Sequence, residues 1–209
     1  MCGKPGLPCD AAPDSGVVEK AKNMVSKLHV PFDEIQAKQL KAGDRVLISG
    51  TVYTARDAAH QRLHALLQQG ESLPVNFENQ IIFYTGPGPA KPCEVIGPTG
   101  PTSCYRMDKY TPDLIRRAGL RGMIGKGSRS AEVKQAMMEC GAVCFAAIGG
   151  AAALLAECVT SCSVVAYPDL ATEAIHRLEV VDFPAVVAMD VSGADIYTMG
   201  RERYLESLR

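Results

Sequence analysis

Tryptophan is absent from these 209 residues, and aromatic side chains make up only 6% of them. A chain without aromatic platforms is not expected to stack single-stranded bases. Extended Lys/Arg tracts are also missing. The 22 basic residues balance 23 acidic ones to a net charge of −1, so neither nucleic acid nor an anionic membrane is the expected main partner. Long apolar runs are lacking: the nearest candidate, 142–155, is broken by Gly149 and Gly150 and is too short to span a bilayer. No apolar stretch follows Met1-Cys2-Gly3-Lys4-Pro5-Gly6, so a secretory signal is not expected. What is present is the balance of an ordinary globule, with 47% hydrophobic and 22% charged residues, which excludes a disordered chain. The eight cysteines read as reduced thiols, because a chain this long builds its own core and no signal precedes it. A cytoplasmic protein is the expectation.

Residues 1–14 read as a flexible Gly/Pro-rich tail, and 15–209 as a single domain. Order is expected to begin between Val17 and Leu28. Asp33 starts a short helix through Leu40, and Arg45–Thr54 reads as a strand or a bent strand pair. From Arg56 to Gln69 the period becomes helical, with Gly70 as the stop. Gln80–Thr85 is a strand, followed by a Gly/Pro-rich loop, Gly86–Ser103, of the length that often carries function. Thr111 reads as a capping hydroxyl ahead of Pro112, and that helix ends near Gly119. Strands at 122–124 and 142–148, helices at 130–141 and 151–158, and further strands at 163–166, 175–181 and 185–190 complete the pattern. Strand–helix alternation of this kind predicts an α/β fold.

Several segments place a cation or a hydroxyl beside turn residues. Arg56 sits where a strand meets a helix start, a usual anion-binding position, although an Arg at a helix edge paired with Asp57 or a neighbour is the plainer reading of this segment alone. Gly100-Pro101-Thr102-Ser103 precedes Arg106; a hydroxyl near a cation has its alkoxide form stabilised, and a capped turn is the plainer reading. Glycines on both sides of Lys126 let backbone approach a ligand, without the spacing of a phosphate-binding P-loop. Gly149-Gly150 with the alanines after it reads as close helix packing. Cys140 and Cys144, like Cys158 and Cys162, lie four apart and form no CxxC. Gln61 stands between His60 and His64 where a zinc protease motif needs Glu. A metal site built from this chain alone is therefore not expected.

The order of these motifs carries more than any one of them. Gly43-Asp44-Arg45-Val46-Leu47-Ile48-Ser49-Gly50, then Tyr53-Thr54-Ala55-Arg56-Asp57-Ala58-Ala59-His60, then Gly100-Pro101-Thr102-Ser103 with Arg106-Met107-Asp108, then Ile124-Gly125-Lys126-Gly127 together resemble one family. It is the β subunit, or C-terminal domain, of class I fumarases and L-tartrate dehydratases, and the resemblance runs over about residues 28–204. It implies a swivelling β/β/α fold of three layers. It implies an iron–sulfur hydro-lyase whose 4Fe–4S cluster is held by a partner α subunit and not by this chain, in an assembly of the α2β2 type. The implied reaction is reversible hydration of a C4 dicarboxylate, fumarate to (S)-malate first, with L-tartrate or a related hydroxy-dicarboxylate as the alternative. Carried over by motif, Arg56, Arg106 and Lys126 bind the substrate carboxylates, and Thr102 is the catalytic, proton-handling hydroxyl. Asp57, His60 and Ser103 are supporting candidates. Ser103 stands where many relatives have a second Thr, Cys104-Tyr105 where smaller residues are common, and Gln61 at a position often basic; these departures bear on pocket shape. A non-catalytic anion-binding module on the same fold is the reading from another class.

Overall fold

Alternating strand and helix signals fold into a mixed α/β structure, described for residues 25–209 by a computed structural model. The tail expected over 1–14, with Cys2 and Cys9, lies outside the described residues. The strands are β1 (Val25–Val30), β2 (Arg45–Thr54), β3 (Ile81–Phe83), β4 (Gly122–Gly125), β5 (Val143–Ala146), β6 (Val159–Ala166) and β7 (Ile175–Met189). The helices are α1 (Glu34–Gln39), α2 (Asp57–Gln69), α3 (Thr111–Ala118), α4 (Ala131–Cys140), α5 (Ala152–Glu157) and α6 (Ile196–Ser207), with short 3-10 helices at Cys104–Met107 and Pro168–Glu173.

Local chemistry explains most of these boundaries. Asp33 accepts from the Gln36 amide at 2.9 Å while the Gln36 side chain accepts from the Asp33 amide at 3.1 Å, a reciprocal cap that starts α1. Ser130 Oγ accepts from the Val133 amide at 3.3 Å and starts α4. Gly70, Gly119 and Gly141 end α2, α3 and α4 in the left-handed region, which costs glycine little. Helix α3 departs from expectation. Its cap position is Tyr110, with no side-chain cap, and the Thr111 hydroxyl is turned inward to donate to the Met107 carbonyl at 2.9 Å.

The strand pairing closes on itself. Strand β2 bonds β3, β3 bonds β4 and β4 bonds β5, all parallel; β5 then bonds β7, and β7 returns to β2, both antiparallel. Strands β1 and β6 flank this ring as edges. Residues expected as two strands, 175–181 and 185–190, are the single strand β7. Asp182 and Pro184 read locally as a turn, but tertiary pairing absorbs them as a bulge. The register slips between Ile48–Phe183 and Gly50–Val180, so Val181 and Asp182 lie opposite Ser49 alone, and the Asp182 amide donates to Ser49 Oγ at 3.0 Å.

Side chains alternate across the strands and make two cores. Val46, Ile48, Phe83, Ile124, Phe145, Leu178 and Val187 fill the space enclosed by the strands. Ile82, Tyr84, Met123 and Cys144 face the other way, against Leu63 of α2, Leu114 of α3 and Val133 and Met137 of α4. The parallel strands are thus covered on both faces, by strands on one side and helices on the other. Helix α6, which local periodicity did not announce, extends from this body with its last turns exposed. No helix among the described residues is long and apolar enough to cross a membrane.

Candidate active site

Parallel strands end in the same direction, so the segments leaving them share one edge. Arg56 and Asp57 leave β2, Gly86 leaves β3 and Lys126 leaves β4. This carboxyl edge is where α/β sheets bind ligands, because helices begin there with their N–H groups free.

The Thr102 segment is laced between the ends of β3 and β4. The Thr102 amide donates to the Tyr84 carbonyl at 2.7 Å, and its carbonyl accepts from the Lys126 amide at 3.2 Å. Ser103 forms a parallel bridge with Lys126, and the Cys104 amide donates to the Lys126 carbonyl at 2.8 Å. Thr102, Ser103 and Lys126 therefore move as one backbone unit. Gly125 makes the lacing possible: a methyl group there would collide with Cys104 Sγ and stand 3.1 Å from the Thr102 carbonyl oxygen.

The two arginines meet through Asp57. Arg106 Nε donates to Asp57 Oδ1 at 3.1 Å, and Arg106 Nη2 lies 2.8 Å from Oδ2. Arg56 Nε lies 3.9 Å from the same Oδ2, and Arg56 Nη2 lies 3.4 Å from Glu173 Oε1. Gly86 packs on the Arg56 guanidinium, leaving a side chain only 3.0 Å from Nη1. Lys126 is exposed and forms no ion pair among the described residues. Three cations against the carboxylates of Asp57 and Glu173 leave the edge one unit positive. Asp57, a supporting candidate, grips Arg106 more closely than Arg56. Neither guanidinium spends all five of its N–H donors on these contacts.

His60 supports Arg56 from below. It is fully buried, its Nδ1 lies 2.8 Å from the Arg56 carbonyl oxygen, and its ring packs edge-on to Tyr84 at 5.2 Å. Burial pushes its pKa down to about 4, so at neutral pH Nδ1 carries the proton and donates it to that carbonyl, while Nε2 finds no partner among the described residues.

Sequence reasoning missed three groups here. Glu173 arrives from the second 3-10 helix; its Oε2 accepts from the Ala58 amide at 2.9 Å and so caps α2 as well as pairing with Arg56. The one local signal was negative: α2 starts on an Arg with no capping side chain, so its free N–H groups needed an acceptor from elsewhere. Tyr197 of α6 accepts from the Gly127 amide at 3.0 Å, beside Lys126. Arg129 has a completely buried side chain, with Nε 2.8 Å from Asp108 Oδ1, and no local pattern marks it as buried.

Among the described residues, six cysteines are free and no three Cys, His, Asp or Glu side chains group to hold a metal ion. These described residues do not group to hold an iron–sulfur cluster.

An α/β domain that collects cations and a hydroxyl at the carboxyl edge of its parallel strands is equipped to bind a small anion. The chain belongs to the fumarase C-terminus family, whose model matches residues 8–200. It is 34% identical over 195 residues to fumarate hydratase 2 of Leishmania major, covering 91% of this chain and 34% of that protein. It is 37% identical over 173 residues to the aerobic class I fumarate hydratase of Escherichia coli strain K12, covering 81% and 32%. It is 36% identical over 176 residues to a putative L(+)-tartrate dehydratase subunit beta of Methanocaldococcus jannaschii, covering 82% and 90%. The chain thus spans about a third of the fumarate hydratases it matches.

Proposed function

We propose that this chain is the β subunit of a hydro-lyase that reversibly hydrates a C4 dicarboxylate, with fumarate and (S)-malate as the principal pair. The carrying observation is the meeting of Arg56, Arg106, Lys126 and Thr102 at one sheet edge, through Asp57 and the Thr102–Lys126 lacing. Two carboxylates on a short substrate need cations held apart on a rigid frame, and a sheet edge supplies that frame. Arg56, Arg106 and Lys126 bind the carboxylates, using the N–H donors that Asp57 and Glu173 leave free. The Thr102 hydroxyl takes and returns the proton at the carbon next to the hydroxylated one. The positive edge stabilises the alkoxide character that this requires; losing an oriented group of this kind costs about 10² to 10³ in rate.

The partner in this reading is an α subunit that carries the 4Fe–4S cluster, in an α2β2-type assembly, in the cytoplasm. Support comes from the name of the Methanocaldococcus relative, a subunit beta. The closed strand ring between two cores fits the swivelling β/β/α architecture. Residues 15–209 are read as a single domain; among the described residues, the pairing of β7, near the end of the chain, along the length of β2 supports that reading. L-Tartrate is the second substrate to test, since the putative tartrate dehydratase β subunit is matched over 90% of its length.

The test is assembly of this chain with its cluster-bearing partner under anaerobic conditions, followed by assay against fumarate, (S)-malate, L-tartrate and related hydroxy acids. Turnover of a C4 dicarboxylate is expected, and Thr102→Ala lowers kcat by about 10² to 10⁴ with KM nearly unchanged. An intact, cluster-loaded complex that turns over none of these acids rejects the reading.

A further inference from the structure

The motif-bearing residues do not explain why an arginine is buried behind them. Arg129 lies three residues past Lys126, its side chain fully enclosed, so it touches no substrate at the edge. Burial opposes its charge, and the Asp108 carboxylate beside it favours the protonated guanidinium. An enclosed charge is expensive to keep where apolar packing would serve stability as well, so its retention asks for a geometric reason.

Its contacts supply one. Nε lies 2.8 Å from Asp108 Oδ1, Nη1 donates to the Tyr84 hydroxyl at 3.2 Å, and Nη2 donates to Thr111 Oγ1 at 2.8 Å. The guanidinium also lies 5.3 Å from the Tyr84 ring centroid. Each of these partners holds one end of the segment that carries Thr102 and Arg106. The carbonyl of Tyr84 receives the Thr102 amide. Thr111 Oγ1 donates to the carbonyl of Met107, the last residue of the 3-10 turn. Asp108 follows that turn directly, and its other oxygen accepts from the Ser130 amide at 2.6 Å. Burial raises the Tyr84 phenol to about 12, so it stays a neutral hydroxyl that accepts from Arg129 and donates onward to Thr111, 3.1 Å away. One planar fork thereby donates to two hydroxyl oxygens while standing in ion-pair contact with the Asp108 carboxylate, which a lysine point charge does not reproduce.

We propose that Arg129 is a positioning residue that fixes both ends of the 102–108 segment, setting the Thr102 hydroxyl and the Arg106 guanidinium relative to Lys126. The inference rests on the proposed dicarboxylate hydro-lyase reading for its kinetic consequence, but not for its structural one. A shift of about 1 Å in reacting groups costs on the order of 10²-fold in rate, so loss of the clamp lowers kcat through Thr102 and raises KM through Arg106.

The test uses the full chain assembled with its partner and two variants. Arg129→Lys keeps the charge and the Asp108 contact but loses the fork. The pair Arg129→Gln with Asp108→Asn removes both charges together, so no buried charge is left uncompensated. The paired variant is expected to melt within a few degrees of the native chain while kcat/KM falls about 100-fold, divided between kcat and KM. Arg129→Lys should fall about 10-fold. A second readout needs no turnover: hydrogen exchange of the Thr102, Cys104 and Asp108 amides rises at least about 10-fold while the amides of α4 beyond its first turn are unchanged. Exchange at 102–108 that stays native in both variants overturns the inference, whether or not the complex is active. Native exchange protection lost together with inactivity of the wild-type complex rejects the hydro-lyase reading and upholds the clamp.

Discussion

Gly125→Ala tests the lacing of the site most directly. Gly125 has an ordinary extended backbone, so alanine brings no conformational penalty of its own. The added methyl meets Cys104 Sγ well inside contact distance, the Thr102 carbonyl oxygen at 3.1 Å and the Tyr84 ring at 3.1 Å. Tyr84 is fully buried, and Thr102 and Cys104 are bonded to Lys126 on the neighbouring strand. Relief therefore comes by moving the 102–104 backbone outward. Overpacking of this type costs about 1–3 kcal/mol, and at about 2–4 °C per kcal/mol the melting temperature falls by roughly 2–12 °C. Displacement of Thr102 against Lys126 by about 1 Å lowers kcat/KM on the order of 10²-fold in the assembled complex. The paired variant Gly125→Ala with Cys104→Ala removes the sulfur that the methyl strikes. It is expected to recover most of the activity even though Cys104→Ala alone leaves a small void, the two changes being coupled through one space. Thermal melts and steady-state kinetics on the four proteins decide the matter. A single Gly125→Ala variant with native melting temperature and native kinetics refutes the packing argument.

Acid sensitivity follows from His60. Its folded pKa of about 4 lies below the unfolded value of 6.5, so between these limits the unfolded chain binds more protons. Stability is whole above pH 6.5 and is lost as pH falls toward 4, by up to about 3 kcal/mol. The pKa of His176, also lowered by burial, adds in the same direction. Urea midpoints at pH 7 and pH 4.5 should differ less in His60→Gln than in the native chain; an equal difference refutes the assignment. Arg106→Lys keeps the charge but loses the two-point grip on Asp57. Because the pair is substantially exposed it changes stability by less than about 1 kcal/mol, while kcat/KM falls about 10-fold or more. Unaltered kinetics would remove Arg106 from the site. Ser130→Ala deletes the α4 cap and costs about 1 kcal/mol by thermal melt, with a native melting temperature as the contrary result.

What the sequence determined alone was local. Asp33, Ser130 and the terminal glycines fixed helix ends because each acts within one turn of chain. Apolar and β-branched runs marked Arg45–Thr54 and Gln80–Thr85 as strands, and motif order placed Arg56, Thr102, Arg106 and Lys126 after particular elements. The tertiary structure decided everything that depends on partners far along the chain. Asp182 and Pro184 look like a turn until β2 pairs across them, and Thr111 looks like a cap until Tyr84 and Arg129 draw its hydroxyl inward. Glu173 caps α2 from 115 residues away, and Asp57 reaches Arg106 over 49. Sequence pattern records periodicity and turn chemistry, whose range is a few residues. Which carboxylate meets which guanidinium is set by the closure of the strand ring, and no local pattern encodes it.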